Sequence, residues 1–105
     1  MASRPERIVV IDDTVAVRTV IVRHLERAGF VTLQAADGKE GLAVIREHEP
    51  ALVLCDLRMP NLDGLGLLAK VTVEFPELPV IVMSGEGLLA DAVGALKLGA
   101  WDYIA

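Results

Sequence analysis

The chain has 105 residues, 53% of them apolar, with a mean hydropathy of +0.50 and a net charge of −5. So much apolar surface excludes a disordered, solvating segment, yet no apolar run is long enough to cross a bilayer. Lys and Arg form no cluster and aromatics are only 4% of the chain, so neither a phosphate-tracking stripe nor a base-stacking platform for nucleic acid is present.

A length of this order fits one domain, taken as residues 1–105. Met1–Arg7 precedes only four apolar residues before Asp12-Asp13. That is too short for a secretory core, so the expected location is the cytoplasm.

Ile8–Ile11 is a β-branched packet and the first predicted strand. From Thr14 to Ala28, Val17, Val20, Ile21, Leu25 and Ala28 fall at the spacing of one helical face. The segment is rich in β-branched residues, which favour strand, but two successive strands would leave no crossover. Gly29 is placed to end this helix. Phe30–Leu33 is a second strand, and Asp37-Gly-Lys-Glu40 reads as a capping box opening a helix to about Glu49, closed by Pro50. Ala51–Cys55 is a third strand; its lone cysteine has no disulfide partner and reads as a small buried hydrophobe. After the loop Asp56–Asn61, a helix from about Asp63 carries Leu65, Leu68, Thr72 and Phe75 on one side. Val80–Met83 is a fourth strand, Ser84–Gly87 a turn, and Leu88–Leu98 a helix ended by Gly99. Trp101–Ala105 begins a fifth strand. His24 and His48 fall at surface or boundary positions and receive no role.

Short apolar strands without in–out alternation, separated by helices, indicate a parallel sheet covered on both faces: a doubly wound α/β fold. Ligands in such sheets sit at the carboxyl ends of strands. That rule selects Asp12-Asp13 after strand 1, Asp56 after strand 3 and Ser84 after strand 4. If strands 1 and 3 are neighbours, three carboxylates converge, and they need a cation to stay ionised together. An all-oxygen donor set suits a hard ion such as Mg²⁺.

Those residues resemble the receiver domain of bacterial two-component response regulators along the whole chain. Ile8–Asp13 looks like its acidic pair, and Leu52–Pro60 with Asp63-Gly64 like its phosphoacceptor loop. Val80–Ser84 looks like its hydroxyl-bearing strand, and Gly99–Tyr103 like its last strand. The string Asp-x-x-Met-Pro-x-x-Asp-Gly at 56–64 is the most specific part of the likeness. The resemblance implies a flavodoxin-like five-stranded parallel sheet in the order 2-1-3-4-5. It also implies that Asp56 accepts a phosphoryl group from a histidine kinase or a histidine phosphotransfer protein. Asp13 and Asp56 would ligate Mg²⁺ directly, Arg58 through its backbone carbonyl and Asp12 through water. Ser84 would donate its hydroxyl to a phosphoryl oxygen, and Tyr103 would be the switch aromatic. Such a chain is a signalling protein rather than an enzyme, with autodephosphorylation as its only turnover and an effector domain or downstream protein as its output.

Two departures accompany the resemblance. The family carries a Lys directly after the segment ending here at Ala105, and then a last helix; neither is in this sequence. Without that helix, residues drawn from Val80–Met83 and Trp101–Ile104 are expected to lie bare and to favour self-association. The competing readings are a receiver-like interaction module that is never phosphorylated and a Mg²⁺-dependent aspartyl phosphatase. The phosphatase family places its nucleophile after strand 1 with a second Asp two residues on, whereas Asp12 and Asp13 are adjacent. A nucleotide- or flavin-binding domain would need a Gly- or hydroxyl-rich loop after strand 1, where this chain has two carboxylates.

Overall fold

Residues whose backbone can form a fully buried parallel strand need apolar side chains on both faces, and three of the packets supply them. A computed structural model describes residues 6–59, 61–83 and 97–104. Within it β1 (Arg7–Ile11), α1 (Val15–Arg27), β2 (Val31–Ala35), α2 (Gly38–His48), β3 (Leu52–Asp56), α3 (Gly64–Glu74), β4 (Val80–Met83) and β5 (Asp102–Ile104) follow in order. All strand pairs are parallel and the sheet order is β2-β1-β3-β4-β5. The turn 84–87, most of the helix expected over 88–98, Pro60 and Ala105 lie outside the described residues.

α1 packs on β1 and β2, and α2 on the same two strands and on α3. The main core gathers Val9, Ile11, Val53, Cys55, Val80 and Val82 from the sheet against Leu42, Ile45, Leu67, Leu68 and Val71 of α2 and α3. Alternate residues of the same strands, Ile8, Val10 and Leu54, are also buried, on the sheet's other side. Burial on both faces explains why the sequence shows apolar runs rather than alternation.

Two helices bury a face that only partly matches the one periodicity indicates. In α1 only Val22 is buried, with Arg18, Ile21 and Leu25 half-buried; Val17 and Val20 are exposed. In α3 the buried residues are Gly64, Leu67, Leu68 and Val71, Leu65 and Phe75 are half-buried, and Thr72 is exposed. Both helices carry apolar residues nearly all round, so periodicity alone does not choose the face. Contact with the sheet does. β2 also starts one residue later and runs two further than expected, because it pairs with β1 as far as Ile11↔Ala35.

The helix ends follow the sequence more closely. Asp37 caps α2, accepting from the Glu40 N–H at 2.8 Å, and Asp63 caps α3, accepting from the Gly66 N–H at 2.8 Å. Gly29 closes α1 with φ +97°. α2 closes one residue before Pro50, with Glu49 at φ +46°, since proline disfavours the right-handed helical region in its predecessor. In the two segments whose outward residues are expected bare, Trp101 and Ile104 are exposed and Ile81 and Met83 half-buried, while Val80 and Val82 are buried in the main core. Strand alternation puts the last two on the helix-covered side.

Candidate functional site

The carboxyl ends of β1 and β3 are neighbours, Ile11 pairing with Cys55, so the residues that follow this pair are delivered to one spot. Asp12, Asp13 and Asp56 each present a carboxylate oxygen there, all within 4.8 Å of one another. The three acids that the sequence placed at strand ends are thereby brought together. Asp12 is only 4% exposed, Asp56 is half-buried and Asp13 faces solvent.

This packing is electrostatically costly. Burial raises the Asp12 carboxyl above its ordinary range and Asp13 adds repulsion, while the Thr14 N–H and Arg18 draw it back down. Burial likewise raises Asp56, followed by repulsion from Asp12; the backbone N–H groups of Arg58 and Leu57 oppose the rise. A bound cation would relieve this repulsion and favour the ionised form of all three carboxylates. Cys55, next in the chain to Asp56, is fully buried with its thiol pushed up by burial, so it has no thiolate chemistry to offer.

Backbone geometry holds the Asp56 loop from two sides. The Leu57 N–H donates to the Met83 carbonyl at 2.9 Å, and its own carbonyl accepts from the Gly64 N–H at 2.8 Å. Only glycine fits at 64, because a Cβ there would run into the backbone of Asp56 and Leu57. At the loop's far end, Asn61, in the left-handed region at φ +66°, donates its side-chain amide to Asp37 at 2.7 Å, and the Gly38 N–H donates to the Leu62 carbonyl at 3.1 Å. The loop after β3 is thus docked on the start of α2, a contact that no local sequence signal marks. Arg58 lies in this loop and is exposed. The backbone at Tyr103 pairs with Val82 in β5; Ser84 lies outside the described residues.

The chain matches the family model described as the response regulator receiver domain over residues 8–105. It belongs to that family. Its relatives include the probable transcriptional regulator ycf27 of Cyanophora paradoxa, 35% identical over 104 residues, covering 99% of this chain and 43% of that protein. This receiver chain therefore spans less than half the length of that relative. Among solved structures, the receiver domain of NtrX from Brucella abortus is 39% identical with a TM-score of 0.88, covering 92% of this chain and 82% of that one. A response regulator protein from Burkholderia pseudomallei, solved with a phosphorylated aspartic acid, a calcium ion and citrate, is 32% identical with a TM-score of 0.88. The match covers 95% of this receiver chain and 59% of that one. A receiver domain is a phosphoacceptor signalling module of two-component systems, not an enzyme in the ordinary sense. No helix among the described residues is long and apolar enough to cross a membrane.

Proposed function

We propose that this chain is a single receiver domain that takes a phosphoryl group onto Asp56 from a phosphohistidine of a histidine kinase or histidine phosphotransfer protein. The observation that carries the reading is the convergence of the Asp12, Asp13 and Asp56 carboxylates at the ends of β1 and β3. The all-oxygen donor set, one member solvent-facing, fits Mg²⁺, which takes one or two carboxylates and keeps several waters. Asp13 and Asp56 would hold the ion directly, Arg58 through its backbone carbonyl, and Asp12 through water. When bound, Mg²⁺ supplies positive charge that neutralises the carboxylates and the incoming phosphoryl oxygens.

A carboxylate oxygen of Asp56 forms the new bond to phosphorus as the donor's N–P bond breaks, the electron pair staying on the imidazole nitrogen. Little covalent assistance is required, since phosphoryl transfer depends chiefly on positioning and charge neutralisation. The fixed Leu57–Gly64 bond and the N–H groups beside Asp56 supply that positioning. Ser84 then donates its hydroxyl to a phosphoryl oxygen, and Tyr103 follows as the switch residue. Phosphorylation so biases a two-state equilibrium read by an effector domain or a downstream protein in the cytoplasm.

Acetyl phosphate with Mg²⁺ should add one phosphoryl group, detected by intact mass, and beryllofluoride with Mg²⁺ should change the fluorescence of the exposed Trp101. Both responses should vanish in Asp56→Asn. Persistence of either in that variant overturns the assignment, and absence of both in the wild-type chain favours a receiver-like interaction module.

A further inference from the structure

Among the described residues, a cation, Arg18, also bonds the turn that carries Asp12 and Asp13. Arg18 is the single charged residue of the segment 14–22. It lies one turn into α1 and is half-buried on the helix face turned to the sheet. Its Nη1 donates to the backbone carbonyl of Asp12 at 2.5 Å, and its Nε donates to the Gln34 side-chain oxygen at 3.0 Å. Gln34 sits on β2 opposite Val10, two residues before Asp12 on β1. One guanidinium therefore spans α1, β2 and the end of β1.

The rest of Asp12 is fixed as well. Its N–H donates to the Ala35 carbonyl at 3.1 Å, and its Oδ1 accepts from the Thr14 N–H at 2.8 Å. The Thr14 carbonyl in turn accepts from the Arg18 N–H at 3.0 Å. The bonds close a ring: Asp12 side chain to Thr14, Thr14 to Arg18, and Arg18 back to the Asp12 carbonyl. Every bond of that ring restrains the turn from which the Asp12 and Asp13 carboxylates project.

We propose that Arg18 is a positioning residue for divalent-cation binding, with Gln34 as its support: the guanidinium fork holds the Asp12–Asp13 turn so that both carboxylates meet Asp56. This rests on the metal-dependent reading above. The sign of the effect separates geometry from charge. A positive group beside a cation site opposes metal binding by Coulomb repulsion, so charge alone would make its removal strengthen binding. A positioning role makes the same removal weaken it. Loss of groups that orient metal ligands typically costs about 10–100-fold in metal affinity.

The test uses the 105-residue chain and Mg²⁺ titrated calorimetrically, with Mn²⁺ followed by electron paramagnetic resonance as a second readout and metal-free thermal melts to show that each variant is folded. Arg18→Met should weaken binding on the order of 10-fold despite losing a positive charge. Arg18→Lys keeps the charge but replaces the planar fork with a point donor, and it should fail to rescue. Gln34→Met, an exposed position, should weaken binding by less, and the double variant should bind no worse than Arg18→Met alone. Should the Arg18 variants not fold, Gln34→Met alone decides. Unchanged or tighter binding in Arg18→Met, full rescue by Arg18→Lys, or no effect of Gln34→Met when it is the deciding variant overturns the proposal. Wild-type chain without saturable Mg²⁺ binding, or binding that survives Asp13→Ala, overturns the metal reading itself and the Arg18 role with it.

Discussion

Gly64→Ala places one methyl group against the backbone of Asp56 and Leu57. The new Cβ would lie 2.7 Å from the Leu57 Cα and closer still to the Asp56 carbonyl oxygen. That is about 1 Å short of the ~3.5–4.0 Å of ordinary carbon contact. Both obstacles are main chain, so no rotamer change relieves them; either the first turn of α3 or the end of β3 must move. Overpacking of this kind costs about 1–3 kcal/mol, and the better helix propensity of alanine offsets at most about 1 kcal/mol of it. A net loss of roughly 1–2 kcal/mol lowers the melting temperature of a domain this size by about 5–15 °C. Gly66→Ala is the control, because its added Cβ meets chiefly the flexible end of the Leu62 side chain at 2.8 Å. Circular-dichroism melts of the metal-free proteins should show Gly64→Ala well below both wild type and Gly66→Ala. Labelling by acetyl phosphate should also slow, since Asp56 is displaced from Asp12 and Asp13. A Gly64→Ala protein melting at or above the wild type would refute the close-packing argument.

Three further expectations concern the acidic cluster and the switch. Burial and mutual repulsion raise the Asp12 and Asp56 carboxyls, so the native state holds protons that the unfolded chain has already released. Their contribution to stability therefore falls as pH rises from about 4 through the raised values. Asp12→Asn keeps an acceptor for the Thr14 N–H but removes the charge, so metal-free melts should show its advantage over wild type growing across that interval; a constant or shrinking difference counts against the cluster. Saturating Mg²⁺ should stabilise the wild type, by about 2.7 kcal/mol at a hundredfold excess over Kd, and should leave Asp13→Ala unchanged; an equal gain in that variant moves the metal elsewhere. Ser84→Ala should accept the phosphoryl group yet fail to transmit it, so amide shift changes remote from Asp56 that survive in this variant would exclude Ser84 as the switch hydroxyl.

The sheet and the acidic trio were legible in the sequence because both depend on local composition. Packets such as Ile8–Ile11 and Ala51–Cys55 are apolar on both faces, which only a doubly covered parallel strand requires, and each ends abruptly in Asp. The cap at Asp37 and the stop at Gly29 are equally local, since each involves bonds within a few residues. The inward faces of α1 and α3 were only partly legible. Val17, Val20 and Thr72 fit an apolar stripe as well as Val22 and Val71 do, and only the sheet beneath each helix selects between them. Nor could chain order reveal why glycine stands at 64, because the atoms excluding a Cβ belong to β3 and its loop. The Asn61–Asp37 bond and the Arg18–Gln34 bridge have the same origin. Their partners are 24 and 16 residues apart in sequence, beyond the reach of any helical or strand period. Sequence alone determined which residues stand at the strand ends. The tertiary structure decided how the turn carrying Asp12 and Asp13 is held, because that restraint comes from neighbouring elements that only folding brings into contact.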